Sequence, residues 1–265
     1  MSSGLTIFLL YLITILMLLF VATIHELGHF AAGLIFKVNV KEISIGIGPK
    51  LYQRYTKKGM RVSIKLIPLV AYVLFDSKQL RNIYSDQIDD KNYSFIMKPL
   101  PKGKLLLEQT KPWQYLLIMF AGVSINFLAF LILWPCCWAI FNAMGYSLTN
   151  PFVNLGMSLK AIGYCMVFKG GEGSNIFVEL PDVAQYSNTW GLIMLQVFLL
   201  LNLVSAVFNL MPFPPLDGWK IAVKLYEGNG KRKINQRAEE ILTLIGCFLM
   251  VYIFVSSILV KWIHW

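Results

Sequence analysis

Four long stretches of apolar residues without a charged side chain divide this chain, and more polar segments separate them. They cover residues 5–24, 113–141, 189–211 and 241–260. Each stretch has about the length of a helix that crosses a bilayer, which takes roughly 20 residues. The first one runs into a histidine motif without a cleavage site, so we expect a retained helix over residues 5–36 and not a signal peptide. The pattern predicts about four transmembrane helices.

A different periodicity follows the first stretch, at residues 40–75. Isoleucines alternate with small or polar residues over residues 43–47, and a similar alternation returns over residues 62–66. A period of two is typical of β-strands. We expect turns at Gly48-Pro49 and at residues 57–59, where glycine, proline and lysine interrupt the pattern. The low polarity of this hairpin predicts that it lies against the membrane.

Two further segments complete the prediction. Residues 76–111 are polar and poorly periodic, which is typical of a loop. Residues 151–168 are apolar except for Lys160 near their middle. A charge at mid-bilayer costs at least about 2 kcal/mol, so an amphipathic helix on the outer surface is favoured over a fifth span. The predicted fold is one α-helical integral membrane domain over residues 1–265, with a membrane-associated β-hairpin after the first helix and an amphipathic helix before the third.

Composition and charge support a membrane protein and predict its orientation. Hydrophobic residues make up 57% of the chain and charged residues 14%, against roughly 25% charged in soluble domains. The net charge is +10, yet no nucleic-acid-reading motif is present. Lys and Arg number 15 between the first two spans, two between the next pair and six between the last pair. The positive-inside rule therefore places both termini outside and both basic connections in the cytoplasm.

The strongest chemical signal is the sequence HELGH at residues 25–29, which fits the pattern HExxH. On a helix, His25 and His29 share one face, so both imidazoles can reach one zinc ion. Glu26 lies beside them and can take a proton from water. The remaining histidine, His264, has the sequence environment of an interfacial residue. The four cysteines form no CxxC pair, so they predict neither a thiolate metal site nor a disulfide framework.

A catalytic zinc usually has three protein ligands, so one ligand must come from elsewhere in the chain. The best candidate is Asp217, because three prolines end the third span before it and Gly218 permits a tight turn over residues 216–218. An even number of crossings puts Asp217 and the histidines at the same cytoplasmic end. A membrane zincin of another family would instead use Glu108 or Glu172. A metal transporter or a non-catalytic metal-binding protein is the remaining alternative.

Amide side chains in the apolar spans allow two interpretations. Asn202 and Asn209 lie two helical turns apart on one face of the third span, and Asn126 lies in the second. Such amides often only hold helices together. In the functional interpretation, Asn209 hydrogen-bonds the substrate backbone or the developing oxyanion.

Together these residues resemble the site-2 protease family of intramembrane metalloproteases. The resemblance covers most of the chain and rests on five segments: HELGHF at 25–30, GIGPKL at 46–51, IPLVAYV at 67–73, KPWQYLLIMFAGVSINF at 111–127 and NLMPFPPLDG at 209–218. The chain departs from the family pattern at four residues, none of them a predicted ligand: Val70, Ala71, Val123 and Trp219.

The resemblance implies one zinc ion held by His25, His29 and Asp217, with Glu26 as the catalytic carboxylate and Asn209 as a substrate contact. It implies hydrolysis of peptide bonds within or near transmembrane segments, either to release membrane-tethered regulators or to clear remnant signal peptides. A bacterial cytoplasmic membrane is the expected location. Residues 145–188 are too few for the PDZ domain that many bacterial relatives insert there.

Overall fold

The computed structural model describes residues 3–85, 93–145, 150–153, 155–156, 190–228 and 235–263. Its helices are α1 (Ser3–Ile35), α2 (Lys78–Ser85), α3 (Tyr93–Ile96), α4 (Pro112–Ala143), α5 (Trp190–Asn209), α6 (Asp217–Gly228) and α7 (Gln236–Ile263), and its strands are β1 (Val40–Tyr55) and β2 (Arg61–Phe75). The chain divides into two compact units, Met1–Ile125 and Asn126–Trp265.

Helices occupy all four segments in which the sequence predicts transmembrane helices. Among the described residues, two helical stretches, Leu12–Ile35 and Pro112–Ala143, are long and apolar enough to cross a membrane, by length and composition alone. Met194–Asn209 is a shorter apolar stretch. The predicted helices and hairpin are thus confirmed as secondary structure, whereas four membrane crossings stay a prediction. Most of the predicted amphipathic helix, residues 151–168, lies outside the described residues.

Helix α1 ends because Lys37 takes a left-handed conformation, with φ of 60°. The amide of Val38 donates to the carbonyl of Gly33 at 2.8 Å, and the amide of Lys37 donates to that of Leu34 at 3.1 Å. This pair of bonds is a Schellman motif, which satisfies carbonyls at the end of the helix. It turns the chain directly into β1.

The hairpin is longer and more bent than the sequence pattern predicts. The turn at residues 57–59 is confirmed. At Gly48-Pro49 the strand is not interrupted, because β1 continues to Tyr55. Ile43 and Arg54 both pair with Val62, however, so β1 folds back on itself in this region. Gly46 and Gly48 instead bend the strand, with φ of 88° and 90°. Ser44 is paired with both Ser63 and Tyr72, so the first half of β1 lies between two segments of β2. A side chain at Gly46 would meet the Lys65 carbonyl at 2.8 Å.

The sheet buries charged groups and exposes apolar ones. The carboxylate of Glu42, which is 1% exposed, accepts hydrogen bonds from Arg61 and Ser63, each at 2.5 Å. On the opposite side of β2, Ile64 and Leu66 are 44% and 55% exposed. In water, apolar side chains are usually buried and charged side chains exposed. Burial by itself raises the pKa of Glu42, but the bonds from Arg61 and Ser63 outweigh it and hold that pKa below its ordinary value.

Replacing Glu42 with methionine is expected to lower the free energy of unfolding by about 3–5 kcal/mol, because the buried guanidinium of Arg61 loses the carboxylate that balances its charge. The double replacement Glu42→Met with Arg61→Met removes both charges, so it should cost clearly less than the sum of the single losses. Denaturant titration in detergent micelles measures all three values.

If the stability losses of the two single variants simply added up in the double variant, the buried pair would be contradicted.

Acid provides a second test of the same bond, because the folded-state pKa of Glu42 is lowered. Its contribution to stability is fully present above the unfolded pKa of about 4.3 and is lost as pH falls through the lower folded pKa. The Glu42→Met variant should not show this part of the acid dependence.

The segment predicted as a loop contains α2 and α3, so that prediction is wrong for residues 78–85 and 93–96. Ser77 caps the start of α2, because its hydroxyl accepts a hydrogen bond from the amide of Leu80 at 3.0 Å. The carboxylate of Glu108 also accepts the amide of Lys78, at 2.9 Å. An eight-residue helix is marginal alone, so a cap from 30 residues downstream explains why local periodicity did not reveal it.

The second unit has an apolar core between α4 and α5. Phe130, Cys137, Leu199 and Leu203 are each at most 2% exposed and pack together. One polar bond joins the two helices near this core, because the Asn126 amide donates to the Ser205 hydroxyl at 2.9 Å. This bond favours the interpretation in which Asn126 holds helices together.

Candidate metal centre

His25 and His29 point their ring nitrogens at one another from successive turns of α1. Their Nε2 atoms lie 3.0 Å apart, and the rings meet nearly edge to face at 79°. Both side chains are buried, at 6% and 5% exposure. Imidazole nitrogens are common zinc ligands, so the helix offers two donor atoms at one point, as the HExxH spacing predicts.

A backbone carbonyl determines which ring nitrogen of His29 carries the hydrogen. Its Nδ1 lies 2.7 Å from the carbonyl oxygen of Ile118 on α4. Since a carbonyl can only accept, Nδ1 carries the hydrogen, and in the neutral ring Nε2 keeps its lone pair. Metal-binding histidines typically have such a partner on their second nitrogen. The arrangement fits a ring prepared to bind a metal through Nε2.

Gly122 on α4 packs directly against both imidazole rings. A Cβ atom at this position would lie 2.4 Å from Nε2 of His29 and 2.7 Å from Nε2 of His25. Gly28 of α1, which directly precedes His29, lies against the backbone of Ala121, where a Cβ would meet the carbonyl oxygen at 2.5 Å. Two glycines therefore allow the helices to approach closely, and Gly122 leaves space where the two nitrogens converge.

Glu26 is held by the sheet. Its Oε2 accepts the backbone amide of Val73 in β2 at 2.8 Å, and its side chain is half-buried. This bond orients the carboxylate without neutralising it. Glu26 follows His25 directly in α1, and its role as a general base stays a prediction.

Asp217 lies in the second unit, where it is the first residue of α6 and is 5% exposed. Gly218 permits the tight entry to this helix, because a Cβ there would lie 2.3 Å from the carbonyl oxygen of Leu210. Lys220, one turn on, donates to Oδ1 of Asp217 at 3.1 Å. The predicted turn therefore opens a helix, and its carboxylate is buried beside one partly exposed ammonium group.

Asn209 ends α5 in the same unit and is half-buried. Its amide donates to the backbone carbonyl of Ser205 at 2.9 Å. The amide of Asn202 makes the equivalent bond to Phe198. A contact between Asn209 and substrate stays a prediction.

The structure describes only one of the two alternative third ligands, Glu108. Glu108 is exposed, and its carboxylate caps α2 through the amide of Lys78. Its oxygens are therefore engaged away from the histidines. Glu172 lies outside the described residues.

Three features of this site were not predicted from the sequence. They are the space at Gly122, the carbonyl of Ile118 and the amide of Val73. Two are backbone groups, which every residue carries, so no side-chain motif reveals them. Gly122 lies within residues 111–127, one of the segments that carry the family resemblance, but small residues are frequent in any closely packed membrane helix.

Comparison with protein families gives a match over most of the chain. A family profile described as Peptidase family M50 matches residues 13–253.

Individual relatives carry consistent names. A protein of Fusobacterium nucleatum, named "Putative zinc metalloprotease FN1322", is 33% identical over 124 residues, which are 46% of this chain and 31% of the relative. Metalloprotease MmpA of Caulobacter vibrioides is 30% identical over 173 residues, 59% of this chain and 40% of the relative. The chain thus spans less than half the length of these curated relatives.

Proposed function

The chain belongs to peptidase family M50, and from this premise we propose that it is a zinc metalloendopeptidase that cuts membrane proteins within or near their transmembrane segments. The observation that carries the proposal is the convergence of the His25 and His29 Nε2 atoms at 3.0 Å, with Glu26 beside them. Buried imidazoles and a held carboxylate are the donor set and the base of a hydrolytic zinc site.

Three buried side chains would hold the ion: His25, His29 and Asp217. Each offers one ligand atom, and a set of two nitrogens and one oxygen suits zinc. The carbonyl of Ile118 orients the imidazole of His29 for binding the ion. Such a set leaves one position open for water or substrate.

The protein's own groups then perform the proton transfers. When bound, zinc supplies Lewis acidity, which favours deprotonation of water and polarises a carbonyl. Glu26 takes the proton of the attacking water and passes it to the leaving amine as the peptide bond breaks. The amide of Val73 keeps the carboxylate in place, and the amide of Asn209 would donate to the carbonyl oxygen as charge develops.

The substrate must be extended where it is cut, because an intact helix engages its carbonyls in hydrogen bonds. The hairpin supports a means of holding such a segment, namely addition of a substrate strand to a sheet edge. Transmembrane proteins or remnant signal peptides are the proposed substrates.

The proposed location is the bacterial cytoplasmic membrane, with both termini outside and the site near the cytoplasmic face. Two apolar helices support membrane insertion. The exposed apolar side of β2, with Ile64 and Leu66, is explained if lipid covers it. Lysines and arginines concentrated between α1 and α4 support the orientation.

Replacing Asp217 with alanine tests the ligand set. We expect the purified variant to lose at least about tenfold in zinc affinity, because one of three protein ligands is gone. Metal analysis after dialysis against a weak chelator measures it. Glu108→Ala is the matched control and should keep zinc, since that carboxylate caps α2.

Two outcomes would contradict the proposal. Zinc retained by Asp217→Ala but lost by Glu108→Ala would favour a zincin of another family. Zinc bound by the unmodified protein, without cleavage of transmembrane test substrates in detergent, would favour a non-catalytic metal-binding protein.

A further inference from the structure

Four lysines surround the place where α1 ends and α4 begins. Lys37, Lys102 and Lys111 are exposed and Lys104 is partly exposed. We call these four the basic collar. They come from three separate segments of the first unit, so their proximity is a property of the fold and not of one charged run in the sequence.

Backbone bonds hold the collar together. The amide of Leu105 donates to the carbonyl of Lys37 at 3.0 Å, which places Lys104 next to Lys37. A turn closed by the bond from the Lys104 amide to the Pro101 carbonyl, also 3.0 Å, brings Lys102 to the same rim.

An aromatic pair brings the start of α4 to the same level. The rings of Phe36 and Trp113 meet edge to face with centroids 5.5 Å apart. Phe36 precedes Lys37, and Trp113 follows Lys111 by two residues. The fourth lysine, Lys111, directly precedes α4 and therefore joins the same rim.

Apolar side chains lie directly next to these charges. Trp113 is 52% exposed and Ile35, the last residue of α1, is 73% exposed. Tryptophan is enriched where a helix leaves the hydrocarbon core, and lysine reaches from there to the headgroups. Lysines next to an exposed indole and an exposed isoleucine are the combination expected at a bilayer surface.

The acids that the structure describes in this region do not neutralise the charge of the collar. Among the described residues between α1 and α4, the acids are Glu42, Asp76 and Glu108. Glu42 binds Arg61, Asp76 binds Lys41 and Arg81, and Glu108 caps α2; for the described part of the chain, no ion pair involves a collar lysine. These described acids are committed to other partners, so none of them serves as a counter-charge for the four ammonium groups.

From this arrangement we propose that the basic collar is a binding surface for the phosphate headgroups of anionic phospholipids. Exposed lysines next to the ends of membrane helices attract anionic lipids over zwitterionic ones. The inference rests on the membrane insertion in the proposed function, but not on the metal site or on catalysis.

Lipid selectivity measured by electron paramagnetic resonance tests the surface. The full chain is reconstituted in phosphatidylcholine vesicles with trace spin-labelled phosphatidylglycerol or spin-labelled phosphatidylcholine, and the motionally restricted fraction of each label gives their relative association. We expect a preference of about threefold or more for phosphatidylglycerol. Added salt should reduce it through screening.

Charge-matched variants assign the preference to a place. The collar variant K37Q/K102Q/K104Q/K111Q should lose the preference. The hairpin variant K50Q/R54Q/K57Q/K58Q removes the same number of positive charges from β1 and the following turn. This variant should keep most of the preference for phosphatidylglycerol. Equal loss in both variants, or no preference in the unmodified protein, would overturn the inference. Failure of the unmodified protein to insert into vesicles would refute the membrane part of the proposed function as well.

Discussion

Replacing Glu26 with glutamine is expected to slow peptide-bond cleavage by about a thousandfold while zinc stays bound. Glutamine has the same shape, and its carbonyl oxygen can still accept the amide of Val73, which donates to Glu26 at 2.8 Å. The position of the side chain is therefore kept, and only its basicity is lost. Cleavage of a transmembrane test substrate in detergent, together with the zinc content of the same sample, separates the two properties.

Two further variants sharpen this test. Glu108→Gln changes an exposed carboxylate in the same unit, and it should cleave at the normal rate. Glu26→Ala removes the base and also the acceptor for Val73, so hydrogen exchange at the Val73 amide should increase in this variant but not in Glu26→Gln. Full activity in Glu26→Gln would refute the assignment of Glu26 as the base.

The parts of the site that sequence predicts well are those encoded within one helix. His25 and His29 lie four residues apart, and a helix brings such residues to one face whatever the remainder of the chain does. The apolar stretches likewise encode α1 and α4, because the burial or lipid exposure of a long uncharged run needs no knowledge of its neighbours.

The parts that sequence does not predict depend on partners far away in the chain. Helix α2 forms with a cap from Glu108, and the bend at Gly48 exists because β1 pairs with two segments of β2. Val73 contributes a backbone amide to Glu26 from 47 residues away. Local periodicity carries no information on such contacts, so each of them emerges only from the fold.

Gly122 shows the same limit at the metal centre and leads to the prediction that depends most on the structure. We expect Gly122→Ala to lower zinc affinity by at least about a hundredfold and to abolish cleavage with it. The new methyl group would lie 2.4 Å from Nε2 of His29 and 2.7 Å from Nε2 of His25. Both imidazoles must move, so two proposed ligands are displaced at once.

The fold should survive this change, because the atoms that the methyl group meets are the ends of side chains. Alanine also has a higher helix propensity than glycine, by about 1 kcal/mol. Gly28→Ala differs, since its methyl group would meet the backbone of Ala121, which cannot move alone, and it should destabilise the protein.

Gly191→Ala is the matched control for Gly122→Ala, because a Cβ at this glycine of α5 would meet none of the described residues within 4 Å. Zinc affinity from competition with a chelator, and thermal unfolding of the same metal-free samples, should separate the three variants. Gly191→Ala should match the unmodified protein in both, Gly122→Ala should lose zinc and keep its unfolding temperature, and Gly28→Ala should lose stability. If Gly122→Ala bound zinc normally, the two imidazoles could not converge beside Gly122 as they do here, and the histidine pair would lose its role as the centre of the site.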